Sequence, residues 1–321
     1  MAYQKIFFSR VLGLVSAIGL ILSLGASVAL AQTPSKSTEN ASNPDRYYKK
    51  KIVAAAFFIH PAATGQIQDI DDIAQGFPNE LVRGLEQSGK FLGRRSPNFL
   101  AYASQSEAPS FQLLRQMANE NDAQFVVSGT INFAGTSKES KYWGLVTNEK
   151  RHIQIDVSLF DAVSGSLIAK KRVDKVSDDN APMGRDLSFG SAAFYTSPFG
   201  RAMRAALKDA SSFVEQELAP LPMMARILKI SDQQVFFDAG SSSLVLQGDL
   251  GVAIAYDDEL PVKTLSSLQA NLQHVGLPLS RVGSLNTVQV FPNFSVAELG
   301  ADTKRIDLDV GDFVRFDQRR P

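Results

Sequence analysis

Cysteine is absent from the sequence, and histidine and tryptophan are scarce. The lack of cysteine excludes disulfides, thiolate metal sites, cysteine nucleophiles and a lipid-modified N-terminal cysteine. The three histidines, His60, His152 and His274, are far apart, and none has a second histidine at a spacing typical of metal ligands. We therefore expect neither a metal site nor a cofactor.

Motifs that mark common active sites are also missing. There is no Gly-x-Ser-x-Gly nucleophile elbow, no Walker loop and no dinucleotide-binding fingerprint. The acidic run at 68–72 lacks the glycine that a calcium loop needs at its sixth position, which is Ala74 when the count begins at Asp69. His152 and Asp156 fall on the polar face of an alternating segment, which is typical of surface residues. The sequence indicates no catalytic residues and no small-molecule substrate, so a structural protein is predicted rather than an enzyme.

Acidic and basic residues are balanced, with 33 of each among 321 residues. Lys5 and Arg10 are the only charged residues before Gln32, so the rest of the chain has 31 basic and 33 acidic residues, a net charge of −2. This balance lacks the basic excess of proteins that bind nucleic acid. The length predicts about two globular domains.

The N-terminal segment 1–31 has the pattern of a cleavable signal peptide. A short basic region precedes an apolar run from Val11 to Leu24, and Ala29-Leu30-Ala31 fits the small-x-small cleavage rule. The alternative is a retained membrane anchor, because Val11 to Ala31 is long enough to span a bilayer. Residues 32–48 are polar and contain two prolines, which is typical of a flexible linker. We expect an exported protein.

Residues 49–222 are predicted to form an α/β domain. Ile52 to Ile59 is an unbroken apolar run that ends at His60-Pro61, which favours a strand buried on both faces. Apolar residues at helical spacing follow between Ile70 and Leu85. Further elements are expected as a short strand at Phe91-Leu92 that ends before Pro97, a helix at 111–121 and a strand at 124–133.

In the second half of this domain, the sequence pattern predicts that the chain reverses direction. Residues 152–160 alternate between apolar and polar side chains, and a turn at 161–165 leads into a second strand at 167–176. So short a connection forces antiparallel pairing, and the sheet is therefore predicted to be mixed. Ser197-Pro198 begins a helix of about 21 residues, which is expected to lie beside the helix at 73–85.

Two long loops carry aromatic residues, and these are the candidate interface residues. The loop at 134–151 contains Tyr142 and Trp143, and the loop at 177–196 contains Phe194 and Tyr195. Aromatic side chains within polar loops suit a protein–protein interface. The alternative is that Trp143 and Phe194 fold back as local anchors over the sheet edge.

Residues 223–321 are predicted to form a small β domain that resembles a barrel. Helical periodicity fades after Pro220-Leu221-Pro222. Short strands are expected at 226–230, 234–237, 250–256, 287–291 and 313–316, separated by turns such as Gly248-Asp249 and Gly311-Asp312. A helix at 265–272 is only weakly indicated.

These segments, in this order, resemble the flagellar assembly protein T family. KKIVAAAFFI, ELVRGLEQSGKFLGRRS, AQFVVSGTI and HIQIDVSLFDAVSGSLI are similar to its middle domain. RILKISDQQVFFDAG, GDLGVAIAYDDELPV, TVQVFPNFSVAEL and DVGDFVRF resemble its C-terminal domain. The further N-terminal domain usual in that family has no counterpart, since only residues 32–48 separate the signal from the first strand.

The resemblance implies a fold and a role. The family's middle domain is similar to the N-terminal domain of the TolB translocation protein, and related folds occur in lipoprotein activators of penicillin-binding proteins and in curli secretion proteins. The implied role is a non-enzymatic periplasmic component of the flagellar H-ring. Its implied partners are basal-body ring proteins, stator-associated proteins and further copies of itself. The alternative is a periplasmic adaptor or activator of a cell-envelope enzyme or secretion system.

Overall fold

The computed structural model describes residues 47–67, 70, 72–100, 109–141, 146–177, 187–256, 276–303 and 308–317. The predicted signal peptide, most of the linker and the segment 265–272 lie outside the described residues. Residues 42–321 form one compact unit. Within the described ranges, no helix is both long and apolar enough to cross a membrane.

The first strand, β1 (Lys50–Ala56), lies inside a seven-stranded sheet. It pairs in parallel with β3 (Phe91–Phe99) on one side and with β4 (Phe125–Phe133) on the other. Its side chains alternate between two apolar cores, one on each face of the sheet. Burial on both faces accounts for the apolar run as far as Ala56 and confirms this part of the predicted strand, whereas Phe58 is exposed.

A proline inside the first long helix ties that helix to the sheet. After β2 (Phe58–Ile59) and the single turn α1 (Pro61–Thr64), helix α2 (Ile73–Gln87) contains Pro78 in its interior. Pro78 has no N–H with which to reach the carbonyl of Ala74, four residues earlier. The backbone N–H of Phe57 donates to that carbonyl at 2.9 Å instead. The carbonyl of Ala74, which Pro78 cannot reach, thus connects the helix to the end of β1.

β3 is longer than predicted. The expected strand at Phe91-Leu92 extends to Phe99 and includes Pro97. β3 is at the edge of the sheet order and pairs with β1, and the register between these strands shifts between Ala54 and Ala56. An edge strand with a bulge can accept a proline, because one of its sides needs no donor for the sheet.

The middle of the domain is an antiparallel unit, as predicted. β6 (Val146–Asp161) pairs with β4 on one side and with β7 (Ser166–Val176) on the other. The first part of β6 also pairs with β5 (Thr136–Lys141). The sheet order is β3-β1-β4-β6-β5, with β7 on the outer side of β6. The sheet is therefore mixed.

Helices cover both faces of this sheet. α2 and α5 (Pro198–Leu218) share the core on one face, and α3 (Phe111–Glu120) packs on the other. α5 has 21 residues; Ser197 is its N-cap and accepts a hydrogen bond from the N–H of Gly200 at 2.9 Å. The helix start predicted at Ser197-Pro198 is confirmed. At the other end, buried Lys50 donates to the carbonyls of Leu218 and Ala219.

The second domain is a closed six-stranded barrel. Its strands are β8 (Met223–Ser231), β9 (Gln234–Phe237), β10 (Leu250–Tyr256), β11 (Leu279–Val290), β12 (Ser295–Leu299) and β13 (Phe313–Phe316). Their order in the barrel is β10-β11-β12-β9-β8-β13, and β13 pairs with β10 to close it. A closed barrel has no edge strand.

Two barrel strands differ from the prediction. The strand expected at 287–291 is the end of a 12-residue strand, β11. β12 was not predicted, because its apolar residues are few and it follows the turn at Pro292-Asn293 directly. We propose residues 222 and 223 as the boundary between the domains, since α5 ends at Leu218 and β8 begins at Met223.

The two domains contact each other through polar groups, of which Gln124 is buried. Both amide atoms of Gln124 cross the boundary: Nε2 donates to the carbonyl of Pro222 at 3.1 Å, and Oε1 accepts from the N–H of Met224 at 3.0 Å. The ammonium of Lys51 lies 2.7 Å from Asp122 and 3.4 Å from Asp238. Burial raises the pKa of Asp238 to about 6, although the charge of Lys51 opposes the shift. A partly open cavity of about 190 Å³ lies at the same boundary.

Candidate interaction site

A two-stranded β-ribbon extends the central hairpin of the first domain; we call it the arm (residues 136–151). β4 continues into β5 after Ala134-Gly135, and β6 pairs along both. The pairs of the arm run from Thr136 with Arg151 to Lys141 with Val146. The loop predicted at 134–151 is therefore wrong for most of its length, because its polar residues pair as strands rather than forming a coil.

The arm continues past the strands that flank it at its base. β7 ends at Val176, which is opposite His152. The next described residue, Ser177, donates its N–H to the carbonyl of Arg151 at 2.7 Å. Between residues 136 and 150, the described strands β5 and β6 pair with each other and with no other described strand. A two-stranded ribbon of this kind is marginal alone and depends on its base.

Arg151 anchors that base. Its side chain is buried, and its guanidinium carbon lies 4.3 Å from the centre of the Phe199 ring at the start of α5. Nε donates to the carbonyl of Ala134 at 3.1 Å, and Nη2 donates to the carbonyl of Gln66 at 3.1 Å. One cation thus joins strand β6 of the arm, the connection between β4 and β5, the segment before α2 and helix α5. Cation–π contacts are strongest where water is excluded, as here.

Aromatic rings continue from Phe199 into the short helix α4 (Ala192–Thr196). The ring of Phe194 lies 6.5 Å from Phe199, 4.7 Å from Phe189 and 5.2 Å from Tyr195, measured between ring centres. Gly76 of α2 leaves room for Phe189, because a Cβ there would lie 2.6 Å from that ring. The two loops predicted at 134–151 and 177–196 therefore begin at the same end of the domain. We call this end of the domain the arm end.

Tyr195 links this cluster to charged residues of α2 and α5. Its hydroxyl donates to Glu80 at 3.2 Å, and the guanidinium of Arg204 lies 4.6 Å from its ring centre. Burial and the nearby charge of Glu80 raise the pKa of Tyr195 above its usual value. Glu80 also pairs with Arg83 at 2.9 Å. The tyrosine stays neutral at physiological pH, and it joins α4 to both long helices.

The four candidate interface residues have different positions. Tyr142 and Trp143 lie outside the described residues, between the two strands of the arm. Phe194 is fully buried, which fits the alternative of a local anchor because an enclosed ring presents no surface to a partner. Tyr195 is half-buried at the arm end. An interface role for Tyr142, Trp143 and Tyr195 stays a prediction.

Asp156, one of the residues that could suggest catalysis, is engaged in the fold. Asp156 binds Arg172 with two contacts, Nε at 2.7 Å and Nη2 at 3.0 Å. Its partial burial would raise its pKa, but the hydrogen bonds and the charge of Arg172 hold the pKa below its usual value. The part of the chain that is described contains no group of three or more His, Asp or Glu side chains that could hold a metal ion. Asp69 and Asp71 of the acidic run lie outside it.

The role of Arg151 was not predicted from the sequence. A lone arginine in a polar stretch gives no sign of burial, and its partners come from α5 and from the segment before α2. One signal was available: Arg151 immediately precedes the alternating strand, where the side-chain pattern places it on the same face as Ile153 and Ile155.

Fold and site define a two-domain protein in which a helix-covered mixed sheet carries a protruding β-arm and a closed barrel follows. Residues 43–188 match the family described as flagellar assembly protein T, middle domain. The match confirms the resemblance of the first domain and spans β1 to β7 and the arm. It does not reach α5 or the barrel, and the resemblance of the barrel to the family's C-terminal domain stays a prediction.

Several solved structures are similar over about half of the chain. The hypothetical protein CT253 from Chlamydia trachomatis has 20% identity and a TM-score of 0.41, covering 53% of this chain and 98% of its own. The PelC dodecamer from Paraburkholderia phytofirmans has 11% identity and a TM-score of 0.31, covering 52% and 89%. Lipoprotein GNA1162 from Neisseria meningitidis has 11% identity and a TM-score of 0.27, covering 53% and 98%. These scores are too low to support a conclusion on function. No curated protein matches the chain by sequence.

Proposed function

We propose that this protein is a non-enzymatic periplasmic assembly component of the flagellar basal body, of the H-ring type. The match of residues 43–188 to a flagellar assembly domain carries the proposal. The signal-like pattern of residues 1–31 supports export, and a sheet with an extended arm supports a role that depends on protein surfaces. Its partners in this proposal are basal-body ring proteins, stator-associated proteins and further copies of the chain.

The arm end is the surface that we assign to assembly. It combines a ribbon of two strands, a rigid base fixed by Arg151, and Tyr195 between Glu80 and Arg204. Backbone groups along the outer sides of a two-stranded ribbon are available for pairing with another strand. A buried anchor fixes the direction of the ribbon, so that ordering it on binding has a small entropic penalty.

Deleting the gene and imaging isolated basal bodies tests the proposal. We expect incomplete outer rings and reduced swimming, with both restored by the wild-type gene. Intact rings and normal swimming in the deletion strain would refute the flagellar role. If cell-wall synthesis or secretion failed instead, the protein would be the envelope adaptor that the sequence left as an alternative.

Substitution of Trp143 tests the assignment of the arm end. We expect Trp143→Ala to weaken assembly more than folding, because an aromatic side chain within a polar segment suits a protein–protein interface. Phe99→Ala is the matched control, since Phe99 is an exposed aromatic residue at the opposite edge strand β3. A large fall in thermal stability with assembly intact would contradict the assignment.

A further inference from the structure

The turn between β6 and β7 docks on the barrel. The hydroxyl of Tyr256 donates to the carbonyl of Val163 at 2.9 Å, and the backbone N–H of Leu277 donates to the carbonyl of Ser164 at 2.6 Å. The side chain of Val163 is buried within an apolar cluster that also contains barrel residues. Asp161, the last residue of β6, is therefore held at the boundary between the two domains.

The carboxyl group of Asp161 has hydrogen bonds but no cation beside it. Its Oδ1 accepts from the N–H of Val163 at 3.0 Å, and its Oδ2 accepts from the hydroxyl of Ser164 at 2.8 Å. Burial raises the pKa of Asp161, and these hydrogen bonds oppose the shift only in part. Among the described residues, no lysine, arginine or histidine offsets it. A buried carboxylate is unfavourable until an opposite charge compensates it.

The turn itself does not require this charge. It needs a side-chain acceptor for the N–H of Val163 and a partner for the hydroxyl of Ser164. Asparagine is common in turns and supplies both without a charge, since its amide has an acceptor oxygen and a donor nitrogen and a hydroxyl also accepts. The hydrogen bonds therefore explain a polar side chain at position 161, but they do not explain a buried charge.

Asp161 lines the cavity of about 190 Å³ at the domain boundary. Two further polar residues of the described wall already have partners. Gln124 bonds to the backbone around the start of β8, and Nε of Arg315 lies 2.9 Å from a carboxyl oxygen of Asp317. The rest of the described wall is apolar and consists of Phe125, Leu221, Pro222, Met224, Ile254 and Leu279. Asp161 is thus the charged group of this described wall that has no opposite charge.

We propose that this cavity binds a small ligand that carries an ammonium group on an apolar body. The ammonium group pairs with Asp161, and the apolar body contacts the remaining wall. An apolar wall with a few polar groups is typical of small-molecule sites. An apolar cavity of about 150 Å³ accommodates benzene, so a ligand of about six to eight non-hydrogen atoms suits this one. The proposal does not depend on the flagellar role.

Three ligands that share one branched carbon skeleton test the proposal: isopentylamine, isopentyl alcohol and isovalerate. Saturation-transfer NMR with the purified full-length chain measures the affinity of each ligand. We expect isopentylamine to bind with a Kd on the order of 1 mM, because so small a ligand makes few contacts. Isovalerate is expected to bind at least about tenfold more weakly than isopentylamine, since its carboxylate would face Asp161.

Asp161→Asn removes the charge and keeps a side chain that suits the turn. We expect it to weaken the binding of isopentylamine at least about tenfold, and to change the binding of isopentyl alcohol by about twofold or less. Asp156→Asn is the matched control, because Asp156 is on the same strand, pairs with Arg172 and is not part of the described cavity wall. This control is expected to bind isopentylamine within about twofold of wild type.

Leu279→Phe keeps the proposal testable if Asp161→Asn does not fold. Its larger side chain fills part of the cavity and is expected to weaken the binding of the amine and of the alcohol at least about threefold. Equal losses in the two asparagine variants would overturn the proposal, as would unchanged amine binding in Asp161→Asn or Leu279→Phe. Isovalerate binding as tight as that of isopentylamine would also overturn it, and so would the absence of amine binding by wild type at about 20 mM.

Discussion

Replacing Arg151 with alanine is expected to release the arm from the domain. The substitution leaves the buried carbonyl of Ala134 and the partly buried carbonyl of Gln66 without the guanidinium donor, and a buried acceptor left unsatisfied costs about 1–3 kcal/mol. It also removes the contact with Phe199, worth about 2 kcal/mol when desolvated. Water that enters the site offsets part of these two losses. We therefore expect the free energy of unfolding to fall by about 3 kcal/mol in total.

The effect of Arg151→Ala can be compared with the effect of replacing an exposed arginine, Arg172. A loss of about 3 kcal/mol corresponds to a fall in Tm of about 6–12 °C for a domain of this size. Arg172→Ala removes an ion pair whose arginine is 60% exposed, so a much smaller loss is expected, because solvent screens an exposed ion pair. The loss of stability in Arg151→Lys is expected to lie between the losses in Arg151→Ala and Arg172→Ala, because lysine retains the charge but loses the planar donor geometry.

Hydrogen exchange locates the effect within the chain. We expect faster exchange in the arm, residues 136–150, in Arg151→Ala, while exchange of the barrel strands stays unchanged. Arm protection equal to that of wild type would refute the role of Arg151 as an anchor, even if Tm fell. A Tm change no larger than that of Arg172→Ala would refute the estimate of its contribution.

Three further substitutions test the packing and the joint between the domains. Gln124→Ala should lower stability by about 2 kcal/mol in chemical denaturation, because two hydrogen bonds across the boundary are lost; an unchanged midpoint would contradict this. Gly129→Ala should destabilise the protein by about 1–3 kcal/mol, since the added Cβ would lie 2.3 Å from the buried ring of Phe57. Gly65→Ala is the control and should be close to neutral, because its Cβ would meet no atom within 4 Å. The folded-state pKa of Asp238 lies above that of the unfolded chain, so its contribution to stability is present below about pH 4 and is lost as the pH rises through about 6. Asp238→Asn should therefore flatten the dependence of unfolding free energy on pH between 4 and 7, and an identical pH profile for both proteins would show this reasoning to be wrong.

The sequence by itself determined the elements whose burial is periodic. β1 could be predicted because both of its faces are buried. α5 could be predicted because Ser197-Pro198 begins a stripe of apolar residues that continues to Leu218. The alternation in β6 likewise followed from one buried face and one polar face. In each case the pattern is local, since the spacing of apolar residues reports directly which side of an element meets the core.

Tertiary structure decided the features that depend on distant partners. Pro97 could remain in a strand because β3 is at an edge, and the polar segment 136–151 became an arm because its two halves pair with each other. Arg151 acquired its role from α5 and from the segment before α2, far away in sequence. The meeting of both aromatic loops at one end of the domain has the same origin. Such contacts have no sequence period, because they join single residues whose separation along the chain is set by the topology of the sheet.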